Sequence, residues 1–143
     1  MPDKGKAMSQ VYYERQSKLI KLYQDFFDRK EMKVKEAVTA LRMIGFSETM
    51  AARRVGEWSA QFSNPAPETE RDKKRRIKEQ ASLEKYLLRM KLGKKKYEEY
   101  IKLRSKYKQG ELSRGKAEFA LMQFGYSQKF SECTADKWLA EKW

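Results

Sequence analysis

The side chains in this sequence best suited to chemistry are cations. Arg71, Lys73, Lys74, Arg75, Arg76 and Lys78 crowd the stretch "RDKKRRIK", and Arg89, Lys91, Lys94, Lys95 and Lys96 follow before residue 97. Residues 71–96 hold twelve basic groups against three acidic ones, Asp72, Glu79 and Glu84. Such a density repels itself unless counter-charge is near, and a polyanion is the natural supplier. Nucleic acid is the commonest polyanion, and these cations would meet its phosphates without reading bases, because the chain carries no groove-reading motif. Tyr86, Tyr97 and Tyr100 interleave with the cations. Tyrosine rings can stack on unpaired bases, although the same three rings also fit an apolar helix stripe. A lysine-rich helix face equally serves as solvated surface, so charge alone leaves polyanion binding and solubility as alternatives.

Other chemistry has little to work with. The chain has no histidine, which removes the commonest general base near neutral pH and the commonest zinc ligand. Asp25 and Asp28 lie one helical turn apart, but a hard divalent cation wants more oxygens than two carboxylates offer. Glu98 and Glu99 are adjacent and point to different helix faces, an arrangement that suits pairing with Lys102 better than acid–base catalysis. The single cysteine, Cys133, cannot close an intramolecular disulfide, which fits a reducing compartment. Lys129 and Lys137 flank it by one turn and could lower its pKa, yet a structural thiol is the simpler expectation. No phosphate-cradling glycine loop, zinc spacing or nucleophile elbow is present. The expectation is a non-enzymatic protein with no metal, no cofactor and no small-molecule substrate.

The elements that must position these cations are helices. Of 143 residues, 40% are hydrophobic and 37% charged, and only three prolines and seven glycines interrupt them. That composition predicts an all-α fold. Residues 1–9, "MPDKGKAMS", have no signal-peptide core and are expected to form a flexible N-terminus. No run approaches the length of a membrane span, so a soluble protein with no membrane partner is expected.

An internal repeat organises the rest. With a constant offset of 80, residues 31–60 lie over 111–140, and Glu31, Ala37, Ala40, Leu41, Gly45, Ser47, Trp58 and Ala60 meet identical residues. Chance would supply roughly two such matches. In each copy an apolar helical face ends at Gly45 or Gly125, where a helix stop wants a left-handed residue. Ser47 or Ser127 then offers a hydroxyl to the next helix, and Phe46 or Tyr126 staples the two helices together. Trp58 and Trp138 fall late in the third helix, placed to close a core or an interface. Upstream, Tyr12, Leu19, Tyr23 and Phe27 mark one further amphipathic helix, and Tyr97, Ile101 and Tyr107 another.

The predicted architecture is therefore two similar three-helix modules, 10–62 and 93–143. A basic helical connector, 63–92, joins them. It starts at a proline-punctuated turn and becomes helical after Pro67, with Glu68 and Glu70 in its first turn. Gly93 either breaks this connector from the next helix or weakens a continuous rod. The repeats themselves are close to neutral, +1 over 31–60 and zero over 111–140.

The stretch "GELSRGKAEFALMQFGYSQKFSECTADKWL", Gly110 to Leu139, resembles short helical modules of bacteriophage virion proteins. The matching residues are Gly110, Leu112, Ser113, Ala117, Leu121, Gly125, Tyr126, Ser127 and Trp138. Ser131 stands where that pattern has Ala, and Lys30 replaces the leading Gly in the first copy. Leu41, Gly45, Phe46 and Ala51 also resemble the first half of ubiquitin-associated domains, a likeness that stops at the second helix. The phage resemblance implies a virion or assembly role without catalytic residues, located in a virion or the host cytoplasm.

Together these readings predict a tandem-module protein that associates with nucleic acid through its connector while the modules contact protein or a second copy. The competing expectation is an adaptor or cement protein docking its repeats on a lattice without nucleic acid.

Overall fold

Local chemistry sets where the helices start and stop. The computed structural model describes residues 8–61 and 64–141, and all regular structure within them is helical. The elements are α1 (Met8–Asp28), α2 (Val34–Met43), α3 (Glu48–Ala60), α4 (Glu70–Leu92), α5 (Lys94–Lys108), α6 (Arg114–Phe124) and α7 (Gln128–Ala140). Ser47 Oγ accepts from the Met50 amide at 3.2 Å, Thr69 Oγ1 from Asp72 at 3.1 Å, Ser113 Oγ from Lys116 at 3.3 Å and Ser127 Oγ from Phe130 at 3.2 Å. Each hydroxyl satisfies an amide that the helix start would otherwise leave open.

The stops are equally local. Gly45 and Gly125 sit at φ 118° and 122°, and the amides of Phe46 and Tyr126 reach back to the carbonyls of Leu41 and Leu121, each at 3.1 Å. This is the Schellman stop, in which a left-handed residue turns the chain so that a following amide caps the last open carbonyls. Lys30 (φ 61°) and Gly110 (φ 78°) make the corresponding stops after α1 and α5. A side chain at such a φ costs about 1–2 kcal/mol. Gly125→Ala is accordingly expected to lower stability by about that amount, whereas Lys30→Gly raises it by up to about 1 kcal/mol; chemical denaturation of the two variants checks both signs.

The packing is more interwoven than two modules on a strut. α1, α2 and α3 contact one another, as do α5, α6 and α7, but α4 lies along α1 and α2 lies against α7. Leu19, Tyr23, Leu41, Ile44, Val55 and Trp58 form one buried cluster, which also takes Leu87 from α4. Tyr100, Leu121, Phe130 and Trp138 form the other, which takes Leu88 from α4 and Met43 from α2. The expected connector is thus a core helix whose adjacent leucines serve both clusters.

Two boundaries differ from expectation, and one left open is decided. α4 begins at Glu70 behind Thr69, so Glu68 lies outside the first turn, where Glu70 and Asp72 stand instead. Gly93, at φ 84°, ψ 161°, breaks the chain between α4 and α5. Met8 and Ser9 already belong to α1, and the rest of the expected N-terminal tail, residues 1–7, lies outside the described residues, as do residues 62–63 and 142–143.

Candidate nucleic-acid interface

The phase of α4 decides which of its cations meet solvent. Its inner face buries Arg76, Gln80, Ala81, Glu84, Leu87 and Leu88. The outer face therefore carries Arg71, Lys74, Arg75, Lys78, Lys85 and Arg89, all exposed. Their spacing follows the three-and-four rhythm of one helix ridge. The ridge runs about 27 Å at the rise of an α-helix. Lys85 was not among the predicted site residues, although its spacing of seven from Lys78 is the signal that puts it there. Arg75 also meets Asp72 at 3.0 Å, an exposed pair of small energetic weight.

Past the ridge, Lys94, Lys95 and Lys96 are exposed on the first turn of α5, which has no acidic side chain and no side-chain cap. Three ammonium groups beside the positive end of a helix dipole concentrate positive potential there. Lys96 Nζ lies 5.6 Å from the centroid of the Phe124 ring. Lys91 is exposed along its stem while its Nζ donates to the Arg42 carbonyl at 3.3 Å. Burial of that ammonium, with repulsion from Arg42, holds its pKa below the ordinary lysine value.

Two members of "KKRR" and its neighbours do not join the ridge. Arg76 is 6% exposed and points inward. Its Nη2 meets Glu31 at 2.7 Å, its Nε meets Asp25 at 3.3 Å, and both nitrogens bond Glu68. The guanidinium carbon also sits 4.3 Å from the centroid of the Phe26 ring. Lys73 is half-buried, 3.4 Å from Glu31. The expectation that Arg76 offers its charge to an external anion is corrected: it clamps the start of α4 to the end of α1. Hydrogen bonding to Arg76 pulls the Glu68 carboxyl below its ordinary pKa.

The tyrosines divide in the same way. Tyr100 is 1% exposed, accepts from Trp138 Nε1 at 2.9 Å and packs edge-on against that indole at 5.4 Å, so it has no face for a base. Tyr86 and Tyr97 are half-buried against the two clusters, and Arg15 stacks 4.0 Å from the centroid of the Tyr86 ring. Trp58 and Trp138 are core residues, while Phe46 and Tyr126 are half-buried staples. Burial lifts the Tyr126 hydroxyl to a pKa of about 12. Asp25 is engaged with Arg29 at 3.2 Å as well as with Arg76.

No protein-family model, no curated protein and no solved structure matches this chain.

Where α4 crosses α1, α5 and α7, a second polar group is sealed from solvent. Glu84 is 2% exposed and Lys137 3%. Lys137 Nζ lies 3.1 Å from Glu84 and also holds Glu141, which Arg104 Nε meets at 3.0 Å. Tyr23 donates to Glu84, as does Gln80 Nε2 at 3.2 Å. Burial pushes the Glu84 carboxyl up, against the pull of Lys137. Lys108 Nζ caps the end of α7 through the Trp138 carbonyl at 2.7 Å. A cavity of about 40 Å³ borders this junction, lined in part by Glu36, Gln80, Lys137 and Glu141. It has room for a few waters.

No described helix is long and apolar enough to cross a membrane.

Proposed function

We propose that this chain is a non-enzymatic assembly protein that binds nucleic-acid phosphates without sequence preference through the outer ridge of α4 and the first turn of α5. The observation that carries this reading is the ridge itself, Arg71, Lys74, Arg75, Lys78, Lys85 and Arg89 in line, continued by Lys94, Lys95 and Lys96. Elsewhere the repeated segments are near neutral, so attraction to a polyanion concentrates on residues 71–96. The proposal includes a duplicated origin: α1–α3 and α5–α7 are two related three-helix modules, and the Ser47/Ser127 caps and Gly45/Gly125 stops recur at the same offset. With the phage-module resemblance, this organisation favours a virion-internal or genome-associated role. The neutral modules would contact protein.

If about six of the exposed cations meet phosphates, affinity for an oligonucleotide falls roughly a thousandfold between 50 and 200 mM salt. Fluorescence anisotropy with labelled single- and double-stranded DNA and RNA measures this. Reversing Lys74, Lys78, Lys85 and Arg89 to Glu should abolish binding while circular dichroism stays unchanged. A purified protein free of salt-removable nucleic acid, with no salt-dependent binding to any of the four probes, would leave the lattice-docking adaptor as the better account.

A further inference from the structure

The contact between α2 and α7 has a half on each module, and each half has a related helix whose corresponding face is bare. In α2, Thr39 and Met43 are buried at 3% and 4%; eighty residues on, Phe119 and Gln123 of α6 are exposed, Phe119 at 61%. In α7, Phe130 and Lys137 are buried at 8% and 3%; eighty residues earlier, Met50 and Glu57 of α3 are exposed, Met50 at 46%. α6 therefore lacks the third-helix neighbour that α2 has, and α3 lacks the second-helix neighbour that α7 has.

The residue types on the two bare faces complement each other in the register of the filled contact. Within the chain, the Arg42 guanidinium lies 4.2 Å from the centroid of the Phe130 ring, and Glu36 and Lys137 border the same small cavity. The same register between α6 and α3 sets Met122 against Met50 and Lys116 against Glu57. An apolar pair replaces the cation–aromatic pair, and Lys116 and Glu57 bring opposite charges to the positions of Glu36 and Lys137, where Lys137 is instead paired with Glu84 and Glu141. Thr39 and Cys133 line one surface pocket, and the same register would set Phe119 against the exposed Arg53, a further cation–aromatic contact. A bare apolar face with matched charge on a second bare face of the same molecule is the mark of a head-to-tail contact.

We infer that copies of this chain join head to tail, the α6 face of one copy receiving the α3 face of the next in the geometry that α2 and α7 use within a chain. The inference rests on the tandem-module part of the function proposed above and names the protein partner as a second copy. Because donor and acceptor faces differ, the contact repeats from copy to copy and builds a ring or a filament, a pair of copies closing it where both α6–α3 contacts form at once.

Sedimentation velocity on full-length, nuclease-treated protein over a concentration series is expected to show self-association that deepens with concentration. Phe119→Glu, which blocks the α6 face, and Met50→Glu, which blocks the α3 face, should each leave a monomer. Mixing the two blocked proteins should produce a one-to-one dimer and nothing larger, since each retains the face the other has lost. Lys116→Glu and Glu57→Lys should each weaken assembly about tenfold or more, and the double variant should restore it; both positions are exposed, so folding is spared. A wild-type monomer at about 1 mM, where even millimolar contacts half-populate, overturns the inference. So does assembly that these substitutions leave intact, which would preserve an assembly role but place it on another surface. Oligonucleotide anisotropy run on the same variants reports the ridge separately, because none of these positions lies on it.

Discussion

Lys137→Met is expected to lower the unfolding free energy by about 3–5 kcal/mol, the cost of leaving buried charge without its partner. Lys137 touches both Glu84, at 3.1 Å, and Glu141. Its removal takes from Glu84 the cation 3.1 Å away, while Tyr23 and Gln80 still donate to that carboxylate and Arg104 still meets Glu141. Binding a proton then relieves Glu84 of a desolvated charge. A carboxyl whose folded pKa lies above its unfolded value favours folding when protonated, and that contribution is lost as pH rises through the folded pKa. Burial already moves Glu84 in this direction. The defect in Lys137→Met should therefore shrink on acidification from neutral pH and persist above it. Glu84→Leu combined with Lys137→Met should recover much of the loss, because two apolar side chains leave no orphaned charge. Thermal unfolding reads the single variant as a fall of about 10 °C or more. A change below about 1 kcal/mol would mean that water reaches the junction.

Arg76→Ala should cost about 2–3 kcal/mol, while Lys74→Ala two residues away stays within about 0.5 kcal/mol of wild type. The first loses bonds to Glu68, Glu31 and Asp25 and its contact with the Phe26 ring. The second loses only an exposed cation. Oligonucleotide binding should reverse the order, with Lys74→Ala weakening it and folded Arg76→Ala leaving it nearly unchanged. The Arg76 cluster also supplies an acid dependence. Glu68 is held below its unfolded pKa of 4.5, so the stability it contributes is present above that value and disappears as pH falls through the lower folded one. Wild type should lose stability in that acid window, and Arg76→Ala should show a flatter profile. Parallel melts of the two proteins from pH 5 downward measure the difference.

Neither the Glu84–Lys137 junction nor the Arg76 clamp leaves a mark in the local sequence pattern. In "KKRR" four consecutive cations look alike, and all four stood as candidate phosphate ligands. Which one turns inward depends on the phase at which α4 meets α1, and Leu87 and Leu88 set that phase thirteen and more positions away from Lys74. The tyrosines pose the same problem: Tyr97 and Tyr100 share one amphipathic pattern, yet only Tyr100 lies under Trp138. Glu84 and Lys137 are 53 residues apart, and no local pattern links them.

The amino-acid sequence by itself determined the all-helical class, the serine caps and the glycine stops. Those features arise from interactions within a single turn of backbone, where a hydroxyl or a missing Cβ acts on amides and carbonyls a few residues away. It also located the density of positive charge, which is a property of composition. Only the tertiary structure decided that the basic helix is part of the core, that Arg76 is an internal clamp, and that one face each of α6 and α3 is left exposed. Each of those outcomes depends on which helix faces meet, and that choice is made by side chains far apart in the chain competing to leave water together.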